Sequence, residues 1–292
     1  MTLKREMVYI RSKKVKGIEY AYLVKSVWNK RKNTSNQQTI KYLGKASDIK
    51  IYDIPKEYNN DPKILAFISS YSKDRQQKDS LITKIREEIF KLLVECDVKG
   101  LVRIYEKYRR LIELSSFYDK LLKPVMYSIG DLWEQGKLDV ATEHVCSNVT
   151  NNLIRSINER TDKAKLNFRN KILICTPEGE LHNLACNMIE SLLLSKGFQI
   201  YNISPSVPLD SIIRYVKNVG PDIILISVTL EENISVAERL INEIRSKFHI
   251  PVILGGSAAK QIPIGSIIDV IIMRNGSLSE VLNLINSAYT NR

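Results

Sequence analysis

The chain has 292 residues, of which 44% are hydrophobic and 26% are charged, a balance typical of a soluble globular protein with material for about two domains. No apolar run approaches the roughly 20 residues that cross a bilayer, and no signal-peptide core is present at the start. We therefore expect a cytoplasmic protein that does not associate with membranes. The four cysteines lack C-x-x-C spacing and stand in apolar stretches, which predicts buried thiols in a reducing compartment and argues against a zinc site.

Positive charge is concentrated near the N-terminus. Residues 1–50 hold 13 Lys or Arg against 3 Asp or Glu, so they carry +10 of the chain's net charge of +12. This asymmetry is typical of a basic module joined to a near-neutral body. Apolar and polar residues alternate from Ile18 to Lys25, with a turn-like KKVKG before them and a polar loop after them. The pattern predicts three short antiparallel strands within residues 1–47.

Cationic side chains on such strands and in their connections can contact the phosphates of a nucleic acid. We therefore predict that residues 1–50 bind DNA, with RNA as the alternative nucleic acid. The opposing interpretation is a basic sheet that packs on the rest of the protein and binds nothing. The predicted nucleic-acid contacts are Arg11, Lys13, Lys14, Lys16, Lys30, Arg31 and Lys32.

Helical periodicity begins after an irregular stretch. Two prolines and two asparagines in DIPKEYNNDP favour a linker over residues 48–78. Four amphipathic segments follow over residues 79–165 and predict an antiparallel four-helix bundle. In the third segment Pro124 predicts a kink and Gly136 an end, and Asp139 is placed to cap the fourth.

Strand-like and helical patterns alternate over residues 166–292. Buried-strand sequences such as NKILICT, PDIILISVT and IPVILGG are separated by amphipathic helices. This alternation predicts an α/β domain with a doubly wound parallel sheet of five strands. Ligands of such sheets bind at the carboxyl ends of the strands.

The loops at those strand ends carry an ordered set of polar and small residues. After the first strand, the stretch TPEGELHNLA places a carboxylate two residues before a histidine. One imidazole nitrogen can then ligate a metal while the carboxylate holds the other nitrogen. Small hydroxyls end the third strand, and two glycines, which let backbone approach a ligand closely, end the fourth. A solvated loop histidine is the simpler interpretation of His182 taken alone. The predicted binding residues are Glu180, His182, Ser227, Thr229, Gly255 and Gly256.

This set resembles the acid-x-His-x-x-Gly, Ser-x-Thr and Gly-Gly pattern of cobalamin-binding domains, in which a helical cap precedes a flavodoxin-like domain. The resemblance covers residues 80–290 and implies that His182 ligates the cobalt of the corrin from below. Ala185 stands where the family has its glycine. The implied fold class is multidomain: a small basic β-rich module, a four-helix bundle cap, and an α/β flavodoxin-like (Rossmann-like) doubly wound parallel sheet.

The cap carries a second motif, Trp-x9-Glu-His, beginning at Trp133. It resembles that of adenosylcobalamin-dependent photoreceptor repressors, and implies that the indole covers the adenosyl group while the carboxylate and imidazole bind its sugar or base. Taken alone, the indole is more simply explained as core and the Glu-His pair as solvated surface. Those repressors have a winged-helix domain in place of basic strands, and a cobalt-binding histidine in place of Glu134. The implied residues are Trp133, Val140, Glu143 and His144.

Three classes of function compete. The favoured one is a sensor that binds cobalamin, with adenosylcobalamin favoured, and regulates transcription as a DNA-binding homo-oligomer, with light as a possible stimulus. Such a protein is not an enzyme. The enzyme-class alternative is a corrinoid carrier in methyl transfer, whose upper face must stay open for methyl exchange. The third is a degenerate cobalamin fold that binds another tetrapyrrole or no cofactor.

Overall fold

The computed structural model describes residues 7–29, 34–71, 75–161, 170–262, 270–273 and 276–290. The chain divides into two compact units. The N-terminal unit comprises Met1–Glu88 and Tyr105–Glu113, and the C-terminal unit comprises Ile89–Ile104 and Leu114–Arg292. Within the described ranges, no helix is both long and apolar enough to cross a bilayer.

A three-stranded antiparallel sheet begins the N-terminal unit, as the sequence predicts. Its first two strands are joined by Lys16 and Gly17, whose φ angles of 49° and 82° match the left-handed turns that suit a twisted hairpin. The third strand pairs with the second, which is therefore central. The strands are β1 (Met7–Val15), β2 (Ile18–Asn29) and β3 (Thr34–Lys45).

One face of this sheet packs on helix α1 (Pro62–Tyr71). Two short 3-10 turns between β3 and α1 add further buried side chains to the same apolar cluster. Much of the stretch predicted as a linker therefore contributes to the N-terminal core, whereas the domain boundaries drawn from the sequence stay predictions. The cluster contains Ile10, Ala21, Leu23, Ala46, Ile49, Ile54, Ile64 and Ile68.

Helical segments occupy the four positions that the sequence predicts between residues 75 and 159. The first two segments are each divided between the two units, so the packing of all four as one bundle stays a prediction. A π-helical turn, Tyr118–Leu122, interrupts the third segment. The helices are α2 (Arg75–Val94), α3 (Val98–Tyr108), α4 (Leu114–Phe117), α5 (Lys123–Glu134) and α6 (Val140–Glu159).

The predicted breaks and caps in these helices are present. Pro124 lies at the start of α5, directly after the π-helical turn, because proline has no amide hydrogen to continue a regular turn. Gly136 follows the end of α5 with a φ of 67°, a left-handed conformation that glycine adopts without strain. Asp139 caps α6 by accepting a hydrogen bond from the Thr142 amide at 2.9 Å.

The prediction that all four cysteines are buried is wrong for Cys96. This residue is exposed in the turn between α2 and α3, where its φ is 57°. The apolar residues around it belong to the two flanking helices, and the turn itself places the thiol at the surface. The other three cysteines are buried, and burial raises the pKa of Cys186 to about 11.

The C-terminal unit contains a parallel sheet of five strands in the order β5-β4-β6-β7-β8. This order is that of flavodoxin-like folds, as predicted. The strands are β4 (Lys171–Cys175), β5 (Gln199–Asn202), β6 (Ile223–Ser227), β7 (Val252–Gly255) and β8 (Val270–Ile272). The helices are α7 (Leu184–Ser195), α8 (Leu209–Val219), α9 (Ile234–Lys247) and α10 (Leu278–Thr290).

Helices cover both faces of this sheet. Ile172 and Ile174 of β4 lie in one apolar cluster with α7 and α10, while Leu173 and Cys175 lie in another with α8 and α9. Because alternate residues of a strand point to opposite faces, a strand buried on both faces is apolar throughout. The order of strands reverses at β4 and β6, and this switch point is where such folds bind ligands.

Side-chain hydrogen bonds join the α4–α6 helices to the α/β domain within the C-terminal unit. The Tyr118 hydroxyl donates to Ser191 Oγ at 2.8 Å in a buried contact. Both oxygens of Asp119 accept from the Leu278 amide, at 3.0 and 3.1 Å, and so cap the N-terminus of α10. Helices α4–α6 are thereby fixed against the α/β domain at two points.

Candidate functional site

The loop that follows β5 holds the loop that follows β4 in place. The Ser206 amide lies 2.8 Å from Thr176 Oγ1 and 3.0 Å from the Glu180 carbonyl oxygen, and shares its hydrogen between them. The Gly179 amide donates to Ser206 Oγ at 3.0 Å. Ser206 thus fixes the backbone that carries the predicted ligand residues. No sequence pattern indicates this role.

Glu180 is fully buried, and its carboxylate accepts hydrogen bonds at both oxygens. Oε2 accepts from the amides of Thr229 at 2.8 Å and Leu230 at 3.0 Å, and from Asn233 Nδ2 at 3.2 Å. Oε1 accepts from the His182 amide at 3.1 Å and lies 2.7 Å from His182 Nδ1. The carboxylate therefore ties the end of β4 to the end of β6, across the switch point.

Two opposing effects set the pKa of Glu180. Burial is the largest single effect and by itself raises the pKa. The amides of Leu230 and Thr229 and the ring and amide of His182 donate to the ionised form, and together they lower the pKa below its ordinary value. Glu180 is therefore an ionised carboxylate at neutral pH.

This ionisation fixes the tautomer of His182. A carboxylate only accepts hydrogen bonds, so Nδ1 must carry the hydrogen that lies between it and Glu180 Oε1. The lone pair of the neutral ring is then on Nε2, the atom that a metal requires. The His182 side chain is 56% exposed while that of Glu180 is fully buried, so the imidazole is presented at the surface on a fixed support.

The remaining predicted residues of the α/β domain lie at the same edge. Ser227 is buried at the end of β6, and the Thr229 carbonyl oxygen accepts from Ser257 Oγ at 2.8 Å. Gly256 has a φ of 101°, and a Cβ there would lie 2.0 Å from the Val228 carbonyl oxygen. The close approach that Gly256 permits is therefore to the backbone after β6. Contact of Ser227, Thr229, Gly255 and Gly256 with a cofactor stays a prediction.

Ala185 is the second residue of α7 and is exposed. Alanine is the residue best suited to helical backbone, so no glycine is needed at this position. The contact between Glu180 and His182 forms with alanine in place.

The predicted residues of the cap form a second pair of carboxylate and imidazole. Glu143 Oε2 lies 2.6 Å from His144 Nδ1, and Glu143 Oε1 accepts from Ser147 Oγ at 2.7 Å. The His144 side chain is 71% exposed. Trp133 and Val140 are 45% and 48% exposed, so neither is a core residue.

Trp133 differs from the Glu143–His144 pair in its contacts. In the described part of the chain, its side chain makes no hydrogen bond or ring contact with that pair. In the structure, Glu143 contacts His144 on α6. The indole is exposed on the preceding helix, α5. Their common role at one ligand stays a prediction.

The predicted nucleic-acid contacts divide into two groups. Arg11, Lys13, Lys14 and Lys16 are exposed on β1 and in the turn after it. Lys30, Arg31 and Lys32 lie outside the described residues.

Comparison with known proteins identifies the family. Residues 85–157 match one family model described as a B12 binding domain, and residues 170–280 match a second with the same description. The chain belongs to the cobalamin-binding domain family. The two matches cover most of the helical segments and nearly all of the α/β domain, including every predicted residue of the two histidine sites.

Proteins similar to this chain include corrinoid proteins and a transcriptional repressor. Dimethylamine corrinoid protein 2 of Methanosarcina acetivorans is 26% identical over 187 residues, covering 61% of this chain and 84% of that protein. The HTH-type transcriptional repressor CarH of Myxococcus xanthus is 26% identical over 145 residues, covering 49% of this chain and 48% of that protein. The monomethylamine corrinoid protein of Methanosarcina barkeri shares the fold, with a TM-score of 0.55 at 14% identity over 70% of this chain and 97% of that structure.

The residues at the sheet edge fit a corrinoid. A cobalt ion accepts a neutral imidazole nitrogen as a ligand, and His182 would offer Nε2, since a buried, ionised Glu180 holds Nδ1. Asn233 also belongs to this support, because its amide donates to Glu180 Oε2. Sequence patterns miss such a residue, since an asparagine just before a helix is also an ordinary capping residue.

Proposed function

We propose that this protein is a cobalamin-dependent sensor that regulates transcription by binding DNA through its N-terminal sheet. The observation that carries the proposal is the exposure of Trp133, at 45%, together with an exposed His144 ring that the partly buried Glu143 holds. An indole buried in the core would have supported a purely structural role. An exposed indole, beside an exposed Val140, supports a surface that a ligand covers.

Each residue of the proposed site has a distinct task. His182 would hold cobalt through Nε2, and Glu180 holds the ring in position through Nδ1. Trp133 and Val140 would cover the adenosyl group, while Glu143 and His144 would supply hydrogen-bonding groups to its sugar or base. The cofactor, when bound, would supply a light-sensitive bond between cobalt and the adenosyl group, which these four cap residues would surround.

The proposed output is a change of oligomeric state. Two or more basic sheets in one oligomer bind a nucleic acid with greater avidity than one, so a cofactor that shifts oligomerisation shifts DNA binding as well. Useful coupling requires a difference in binding free energy of about 1–3 kcal/mol between the two states. The basic side chains that serve this output in the described part of the sheet are Arg11, Lys13, Lys14 and Lys16.

The test begins with visible spectra of the protein reconstituted with adenosylcobalamin or methylcobalamin, in the dark and after illumination. His182→Ala is expected to weaken retention of both corrinoids and to change their spectra, whereas Trp133→Ala is expected to weaken adenosylcobalamin alone. His249→Ala is the matched control, because His249 is exposed just before β7, at the opposite edge of the sheet. Light scattering and gel mobility on apo, dark and illuminated samples then follow oligomerisation and DNA binding. Identical mass and DNA affinity in all three states would refute the sensor proposal.

A corrinoid carrier in methyl transfer is the second candidate. It is favoured by the similarity to dimethylamine corrinoid proteins, of which this chain covers 84% or more in several cases. A carrier exchanges methyl groups at an open upper face, so it needs no preference for an adenosyl group and no nucleic-acid module. Equal affinities for adenosylcobalamin and methylcobalamin, with no effect of Trp133→Ala, would favour the carrier over the sensor.

A further inference from the structure

The N-terminal sheet has a second face, opposite the one that packs on α1. Side chains two apart on a strand share a face, and the buried face is marked by Ile10 and Leu23. The opposite face therefore carries the side chains that alternate with these, and the pairing of β1 with β2 sets Arg11 beside Tyr22 and Lys13 beside Tyr20. We call it the open face, and its members include Arg11, Lys13, Tyr20, Tyr22 and Tyr42, whereas Val24 on the same side of β2 is buried.

Aromatic rings lie together on the open face. The rings of Tyr22 and Tyr42 have centroids 5.1 Å apart, and those of Tyr20 and Tyr42 are stacked with centroids 6.5 Å apart. Tyr42 is 54% exposed. A tyrosine that served only to stabilise the sheet would hide more of its ring, so this cluster presents π surface to a partner.

Cations border these rings. Arg11 and Lys13 are exposed and lie on the strand beside the tyrosines. Between residues 7 and 45 of the sequence, Glu19 is the only acidic residue. Glu19 hydrogen-bonds the Tyr71 hydroxyl of α1, on the packed side of the sheet, and this contact raises the pKa of Tyr71. The open face therefore combines aromatic rings with exposed positive side chains.

We propose that the open face binds an unpaired nucleic-acid strand, with bases stacked on the Tyr20–Tyr22–Tyr42 cluster and phosphates contacted by Arg11 and Lys13. This inference rests on the proposed function in that it takes nucleic acid as the partner of the N-terminal sheet. It specifies the form of that partner, because every unpaired base offers a π face to an aromatic ring.

The dimensions of the sheet argue against a duplex on this face. Base faces are covered by their neighbours in a double helix, so an exposed ring such as Tyr42 finds no base face to stack on. The major groove, about 12 Å wide, admits a two-stranded ribbon. Three strands spaced about 4.8 Å apart span about 10 Å between their outer backbones before side chains are added. The open face is thus nearly as wide as the groove, so its side chains leave little room for a face-on entry.

The test measures fluorescence anisotropy of the full chain with labelled 20-nucleotide probes: oligo(dT), oligo(U), a mixed-sequence single strand, and the duplex of that sequence. We expect the single strands to bind at least about 10-fold tighter than the duplex, with about 5- to 150-fold loss for Tyr42→Ala. Tyr42→Phe, which keeps the ring, should bind as the native chain does. The matched control is Tyr52→Ala, since Tyr52 is an exposed tyrosine outside the sheet.

Salt dependence separates stacking from phosphate contact. Tyr42→Ala should leave the slope of log affinity against log salt unchanged, whereas Lys13→Ala should lower it by about one. Thermal melting of each variant shows that the sheet still folds. The oligo(dT) and oligo(U) arms show whether deoxyribose or ribose strands are preferred.

Three outcomes would overturn the inference, and they are distinct. A duplex that binds tighter than the single strands, with Tyr42→Ala silent and binding lost in the Arg11→Glu, Lys13→Glu variant, would leave the proposed DNA-binding function standing without the stacking face. Binding of none of the four probes would refute nucleic acid as the partner altogether. Self-association that Tyr42→Ala abolishes, again without nucleic-acid binding, would assign the open face to a second copy of the chain.

Discussion

Replacing Glu180 by Gln tests whether a buried carboxylate sets the tautomer of His182. The substitution keeps the shape of the side chain but removes the charge and turns one acceptor oxygen into an NH2 donor. Glu180 accepts three hydrogen bonds at Oε2 and faces both the amide and the ring of His182 at Oε1. The less costly orientation keeps oxygen toward the three donors and turns NH2 toward His182. Nδ1 must then accept, so the hydrogen moves to Nε2, the atom that would ligate cobalt.

The size of the effect follows from the hydrogen bonds that the substitution removes. The His182 amide is left facing a donor, which costs about 1–3 kcal/mol of the free energy of unfolding. Removing the group that orients a metal-ligating histidine lowers metal affinity about 10- to 100-fold, or about 1.4–2.7 kcal/mol. We therefore expect Glu180→Gln to fold with reduced stability and to bind cobalamin about 10- to 100-fold more weakly, with a shift in the spectrum toward the form that lacks a histidine ligand.

The assay combines thermal unfolding of the apo-protein with titration of cobalamin followed by visible absorption. Glu178→Gln is the matched control, since Glu178 lies in the same loop and is exposed. It should change neither quantity. Unchanged cobalamin affinity and spectrum in Glu180→Gln would refute the argument that this carboxylate fixes the histidine.

Further predictions concern pH, His182 at the sheet edge, Trp133 in the cap, and the effect of salt on DNA binding. The pKa of Glu180 in the folded protein is lowered from its ordinary value of 4.5. The contribution of this carboxylate to stability is therefore complete above about pH 4.5 and is lost as the pH falls through the lowered pKa. Glu180→Gln should remove this loss, so that acid unfolding followed by circular dichroism depends less on pH in that range. His182→Ala should release cobalamin on gel filtration under conditions where His249→Ala retains it. Trp133→Ala should reduce the calorimetric preference for adenosylcobalamin over methylcobalamin, and an unaltered preference would contradict the proposed upper pocket. Charge reversal at Lys13 should weaken DNA binding, more at low salt than at high salt, while leaving cobalamin binding unchanged in the same preparation.

Local patterns predicted most of the elements of this chain. The apolar runs of β4, β6 and β7 and the helical stripes between them predicted a doubly wound sheet, because a strand covered on both faces must be apolar throughout. Pro124, Gly136 and Asp139 predicted where helices break, end and begin, because each acts through its own backbone or its nearest neighbours. The exposure of Cys96 was not predicted, because the apolar residues near it in the sequence belong to the two flanking helices, whereas the turn itself places the thiol at the surface.

Residue patterns alone predict that His182 stands at the carboxyl edge of a parallel sheet, with an acid two residues away, and that Trp133, Glu143 and His144 follow a cobalamin-family spacing. The burial of Glu180 against the amides of Thr229 and Leu230 depends on folding, because these residues follow it by 49 and 50 positions in the chain. The tyrosines of the open face are also assembled only by strand pairing. Spacing along a chain reports which groups are near one another locally, whereas burial and the hydrogen bonds that lower the pKa of Glu180 depend on distant segments brought together by folding.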